Sequence, residues 1–222
     1  SPIKKIQPWL AKQPYALPGA YDSAFGDEPL ARHSSTYVRK APYTFGWDWG
    51  PRIVTAGIWQ DVRVEAWDAL RVDGLHIAQQ RVDAETAQLL AQLEVQAGRS
   101  GEVQLDLDVL GPDGQRVAQL SQKAVLDPGS NTLTVPVRIA KPQRWFPAGY
   151  GKQDLYTFKA RIRDAAGDSY DAQRVTGLRS VELRREKDKW GKGMAIVVNG
   201  IPVFAKGANL IPFDSFPSRV DA

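Results

Sequence analysis

Asp48 stands between Trp47 and Trp49 in the stretch YTFGWDWGPR, Tyr43 to Arg52, with Gly46 before the triplet and Gly50-Pro51 after it. An ionised carboxylate accepts hydrogen bonds at two oxygens and donates none, while each indole offers a wide apolar face and one N–H. In extended backbone successive side chains alternate, so the two indoles would share one face and Asp48 would point to the other. Residue types alone leave two readings. Either the tryptophans pack and Asp48 caps the Gly50-Pro51 turn, or the carboxylate is presented to a ligand. Arg52, four residues on, could pair with Asp48 or with another acid.

No other cluster suggests chemistry. Glycoside hydrolysis needs two carboxyl groups at a defined separation. The 25 acidic residues include none in the apolar setting that marks a proton donor. His33 and His76 have no acidic or cysteine companions at ligand spacing, so no metal site is expected. Gly19, Gly26 and Gly46 form no phosphate loop, no serine sits in a nucleophile motif, and no cofactor is expected. With no cysteine the fold uses neither disulfides nor thiolate sites, and the compartment cannot be read from thiols.

The 29 basic residues are interleaved with the 25 acids, giving a net charge of +4 without a basic face, which argues against a nucleic-acid partner. The local run RREKDKWGK, Arg184 to Lys192, is broken by two acids and reads as a solvated connection. No apolar run approaches the roughly 18 to 20 residues of a membrane helix, so no membrane partner is expected.

The elements that must position Asp48 read as all-β. Residues 1–67 start loop-like, with four prolines before Asp22, and continue as aromatic-rich extended sequence holding four of the seven tryptophans. Within it Ile58, Gln60, Val62 and Val64 alternate as in a strand. Residues 68–183 alternate repeatedly: Val103, Leu105, Leu107 and Val109; Leu133, Val135, Val137 and Ile139; Tyr156, Phe158, Ala160 and Ile162. The turn sequences GPDGQ, DPGSN and DAAGDS punctuate them, which predicts a two-sheet sandwich. DAETAQLLAQLEV, Asp83 to Val95, fits a short helix but is assigned to a strand. In residues 184–222, Asn199-Gly200 between apolar runs predicts a type I′ hairpin. One hairpin and an apolar strand cannot close a core, so this segment reads as the opening of a further domain.

Four ordered stretches resemble a family: YVRKAPYTFGWDWGPRIVTAGIWQDVRVEAW, RWFPAGYGKQDLY, GLRSVEL and NGIPVFAKGANLIPFDSFPSRV. Together they are similar to β-mannosidases of glycoside hydrolase family 2. FGWDWGP marks that branch, whereas the second and fourth are shared with β-galactosidase-like and β-glucuronidase-like relatives. The resemblance implies three parts: the end of a jelly-roll sugar-binding domain over 1–67, an immunoglobulin-like sandwich over 68–183, and a linker with the first hairpin and strand of a catalytic (β/α)₈ barrel over 184–222. It implies the non-catalytic portion of a retaining, exo-acting β-mannosidase whose two catalytic glutamates lie at strand ends in the part of the barrel that this sequence lacks. The substrate would be a β-mannoside or manno-oligosaccharide.

The resemblance also gives the opening triplet a role. Asp48 would accept hydroxyls of the terminal mannose while Trp47 or Trp49 forms a wall against the pyranose. Alternation keeps at least one indole for packing. Asn209, and more weakly Asp214, would lie at the end of the first barrel strand, where such sites gather. Arg144, Trp145 and Tyr150 would fix the sandwich to its neighbours. The competing expectations are a non-catalytic carbohydrate-binding or interaction sandwich, and a family 2 glycosidase acting on another sugar.

Overall fold

The computed structural model describes residues 5, 6, 8, 9, 11, 12, 37–46 and 50–220. It divides into two compact units, one comprising Ser1–Val64 with Gly207–Ala222 and the other Glu65–Lys206.

Seven strands of the second unit form a sandwich: β1 (Leu70–Val82), β2 (Thr86–Ala97), β3 (Gly101–Leu110), β4 (Arg116–Leu126), β5 (Gly129–Ala140), β6 (Tyr156–Asp164) and β7 (Ser169–Thr176). One sheet has the order β1-β2-β5 and the other β4-β3-β6-β7, with all neighbours antiparallel. In the constant-type immunoglobulin arrangement the fourth strand joins the first sheet. Here β4 pairs with β3 instead, giving three strands against four.

The alternation read from the sequence is the alternation of burial. Val103, Leu105, Leu107 and Val109 of β3 share one core with the β6 set beside them in the same sheet and with Leu133, Val135, Val137 and Ile139 of β5 in the other. Val109 and Phe158 are registered opposite each other and fully buried. Each such side chain contributes roughly 1.5–3 kcal/mol of transfer free energy. The segment that fits either a helix or a strand is β2. Ala87, Leu89, Ala91, Leu93 and Val95 are buried at every second position. Ladders to β1 and β5 on both sides hold it extended.

Turn chemistry sets the strand ends. Asp83 Oδ1 accepts from the backbone nitrogens of Glu85 (2.9 Å) and Thr86 (2.8 Å), closing β1 to β2. Asp113 Oδ1 accepts from Gln115 N at 3.0 Å, beside Gly114 at φ 79°. Asn131 ties back to both N and O of Asp127, and Asp164 Oδ1 accepts from Ala166 and Asp168. Short side chains that fold onto their own backbone are what these positions require.

Three further strands, β8 (Val181–Arg184), β9 (Ala195–Val198) and β10 (Ile201–Val203), form a separate sheet in the order β10-β9-β8. The β9–β10 turn places Asn199 at φ 52° and Gly200 at φ 84°, the two consecutive positive values of the predicted type I′ hairpin.

Two expected strands are not formed. Residues 51–67 contain no strand, and Ile58, Val62 and Val64 are 84%, 74% and 94% exposed. Alternation specifies a strand only where a neighbour completes the hydrogen-bond ladder, and no strand pairs with 58–64 among the described residues. β10 likewise ends at Val203, and residues 204–216 carry no strand. No helix among the described residues is long and apolar enough to cross a membrane.

Candidate functional site

The backbone around the candidate carboxylate is shaped by a short 3-10 turn, Pro42–Phe45. Proline pre-sets φ at the start of such a turn. Gly46 follows at φ 98°, ψ 159°, a region essentially restricted to glycine. Gly46 N donates to Tyr43 O, and Thr44 Oγ1 donates to Ala41 O at 2.8 Å. Thr44 and Phe45 are each only 2% exposed, and Gly50 is buried.

The chain returning after Gly50 is bonded to the chain leaving before Gly46. Ile53 N donates to Thr44 O at 3.0 Å, and Arg52 Nη1 donates to Phe45 O at 3.3 Å. The Arg52 guanidinium also lies over the Phe45 ring, 5.3 Å from its centroid. Lys40 Nζ donates to Thr55 O, adding a second rung farther out. Trp47, Asp48 and Trp49 lie outside the described residues, as does His33. What the structure describes is a closed base from which the chain departs at Gly46 and to which it returns at Gly50.

Asn209 is exposed in the irregular stretch after β10. Asp214 is committed to local structure. It accepts from Phe216 N at 2.7 Å and forms a two-pronged pair with Arg219 Nε and Nη2 at 2.8 Å each, while Arg219 covers the Phe216 ring. The Phe216 amide and then Arg219 hold its carboxyl below the ordinary range.

The same holds for the other acids with a clear shift. Backbone amides of Thr86 and Glu85 lower Asp83, and the Arg161 guanidinium lowers Asp171. On the outer face of β3, β6 and β7, Asp106 pairs with Arg163 and Asp171 with Arg161. The depressed carboxyls of Asp83, Asp171 and Asp214 are the opposite of a general acid, which must stay protonated near neutral pH. His76 is exposed on β1, and among the described residues no group of three His, Cys, Asp or Glu could hold a metal ion.

Trp145 and Tyr150 sit where the loop Arg144–Gln153 meets the β9–β10 hairpin. Trp145 N donates to Leu178 O at 2.9 Å, and the Arg179 guanidinium stacks on its ring at 4.7 Å. Asn199 Nδ2 donates to Trp145 O at 2.9 Å, and Tyr150 Oη accepts from Phe204 N at 3.0 Å. Arg144 lies over Phe146 instead. Gln79 of β1, which sequence reasoning missed, donates to Gly177 O and accepts from Arg179 N. A glutamine in a half-buried strand carries no signal for such a distant partner.

Two family models match the chain. One, described as glycosyl hydrolase 2 galactose-binding domain-like, covers residues 1–60, and the other, glycosyl hydrolases family 2, covers 70–179. The chain is 34% identical over 186 residues to beta-mannosidase B of Aspergillus terreus, covering 83% of this chain and 21% of that protein. It is 34% identical over 200 residues to beta-mannosidase B of Neosartorya fischeri, covering 90% and 23%. A crystal structure of beta-D-mannosidase from Dictyoglomus thermophilum superposes with a TM-score of 0.81 at 34% identity, covering 100% of this chain and 26% of that one. The chain thus spans about a fifth to a quarter of the length of the relatives it matches.

Proposed function

Because the chain belongs to glycoside hydrolase family 2, we propose that it is the non-catalytic portion of a β-mannosidase that removes terminal β-mannose from mannosides or manno-oligosaccharides. The observation that carries this reading is the likeness to a β-D-mannosidase over the whole chain.

In this reading the parent enzyme supplies two glutamates from a (β/α)₈ barrel, one as nucleophile and one as acid then base, and this chain supplies substrate contacts and support. Residues 1–67 belong to the sugar-binding jelly roll, 68–183 to the sandwich, and 184–222 lead into the barrel. Asp48 accepts two hydroxyls of the terminal mannose, and one of Trp47 and Trp49 packs on the ring while the other anchors the loop. Asn209 adds a further contact from the barrel end. The closed base at Thr44, Phe45, Arg52 and Ile53 supports this assignment, because a carboxylate aids catalysis only when held in place before the substrate arrives.

The test is to express the complete open reading frame and assay chromogenic β-mannoside, β-galactoside and β-glucuronide in parallel. The reading expects turnover of the mannoside at least about tenfold above the other two, and none by the 222-residue chain alone. Preference for another sugar would move the protein to a different branch of the family. Turnover by the 222 residues alone would overturn the non-catalytic assignment.

A further inference from the structure

Asn199 does more than turn a hairpin. At φ 52° it occupies the left-handed conformation that the type I′ turn demands, and its side chain is bonded at both ends. Oδ1 accepts from Ser180 N at 3.0 Å, Nδ2 donates to Trp145 O at 2.9 Å, and Asn199 N donates to Ser180 O at 3.0 Å. Glycine would satisfy the turn at no steric cost, but it could make neither side-chain bond.

The partners of Asn199 are themselves fixed to the sandwich. Gln79 of β1 bridges Gly177 O and Arg179 N. Gly177 lies so close to Trp145 that a Cβ there would come within 2.5 Å of the indole side chain. On the other side of the loop, Phe146 N donates to Lys152 O, Gln153 Nε2 donates to Phe146 O and Gly151 O, and Gly151 leaves no room for a Cβ against Phe146. Tyr150, on this braced loop, receives the amide of Phe204 just past β10.

We propose that Asn199 is a positioning residue: with Tyr150 it locks the β9–β10 hairpin to the loop Arg144–Gln153 as one joint, so that the chain leaving β10 emerges in a direction fixed by the sandwich. One pin acts at the turn and the other past the end of β10, so the two bracket β10. Because both end on the same loop, releasing one loosens the other. The joint lies wholly within Glu65–Lys206 and holds whatever sugar the parent cleaves.

Two backbone amides report on it directly, since Ser180 N and Phe204 N each donate to a side chain of the joint. Amide exchange is to be followed by NMR on the 222-residue chain and on Asn199→Gly, Asn199→Asp and Tyr150→Phe. Asn199→Gly keeps the turn, so the β9–β10 ladder and the sandwich amides of Leu105 and Phe158 should hold their rates. The Ser180 amide should exchange roughly fivefold faster or more, the factor matching about 1 kcal/mol for one hydrogen bond. The Phe204 amide should follow although Tyr150 is intact. Tyr150→Phe should show the reciprocal effect on Ser180. Asn199→Asp retains the acceptor for Ser180 N and loses the donor to Trp145 O, so it should speed Phe204 more than Ser180. If Asn199→Gly does not fold, the other two variants still decide. An unchanged Phe204 rate in the Asn199 variants, or an unchanged Ser180 rate in Tyr150→Phe, would show two independent contacts and overturn the proposal.

Discussion

The phenol oxygen of Tyr156 accepts a hydrogen bond from the backbone nitrogen of Gln143 at 2.9 Å, while Tyr156 as a whole is only 2% exposed at the start of β6. This contact anchors the long connection from β5 to β6 onto the core. Burial lifts the phenol above its ordinary value of 10.0, because it disfavours the phenolate more than the Gln143 amide favours it. A group whose folded pKa is raised in this way binds its proton more tightly folded than unfolded. Stability is therefore complete below about pH 10 and falls as pH rises above it. Tyr156→Phe should cost about 1 kcal/mol at pH 7, where the Gln143 amide loses its partner, yet show a shallower loss between about pH 9.5 and 11. Urea melts at both pH values check this, and parallel alkaline limbs would contradict it.

The Asp83 turn predicts the opposite limb. Its carboxyl is lowered from 3.8 by the amides of Thr86 and Glu85 and then by Arg81. Its contribution is therefore present above about pH 4 and lost as pH falls through the lower folded value. Asp83→Asn keeps an acceptor for the turn but no titrating group, so the melting temperature should decline less steeply from about pH 4 to about pH 2. Thermal melts across that window give the answer.

Close packing gives a third expectation. Gly177→Ala would bring a methyl within 2.5 Å of Trp145, whereas Gly57→Ala meets nothing within 4 Å. The first should destabilise by about 1–3 kcal/mol, as overpacking does, and the second should stay within about 0.5 kcal/mol of the parent chain. Chemical denaturation of the two variants side by side tests both.

What could be read from the sequence was what local chemistry decides. The sandwich strands were legible because Val103 to Val109, Leu133 to Ile139 and Tyr156 to Ile162 alternate and end at Asp, Asn and Gly turns. The same alternation misled at Ile58 to Val64, where it lacks a pairing neighbour among the described residues. Asn199-Gly200 was legible as a turn. Its second role was not, because it depends on Trp145, 54 residues away, and Gln79 reaches partners 98 and 100 residues away. At the candidate site, Gly46 was legible as turn chemistry, and its backbone conformation requires glycine. The orientation of Asp48 depends on neighbours that no local pattern encodes.

That orientation is the centre of the functional account, and one substitution in the complete enzyme tests it. Asp48→Asn preserves shape and one acceptor but removes the charge, taking each bond from a sugar hydroxyl from about 1.5–3 kcal/mol toward about 1. The account predicts a loss of about 1–3 kcal/mol in transition-state stabilisation, a fall in kcat/KM for a β-mannoside of roughly 5- to 150-fold. The melting temperature should stay within about 2 °C of the unmodified enzyme. Unchanged kcat/KM in a folded Asp48→Asn enzyme would contradict it, and so would a lowered melting temperature with normal kinetics, since Asp48 would then serve the turn and not the sugar.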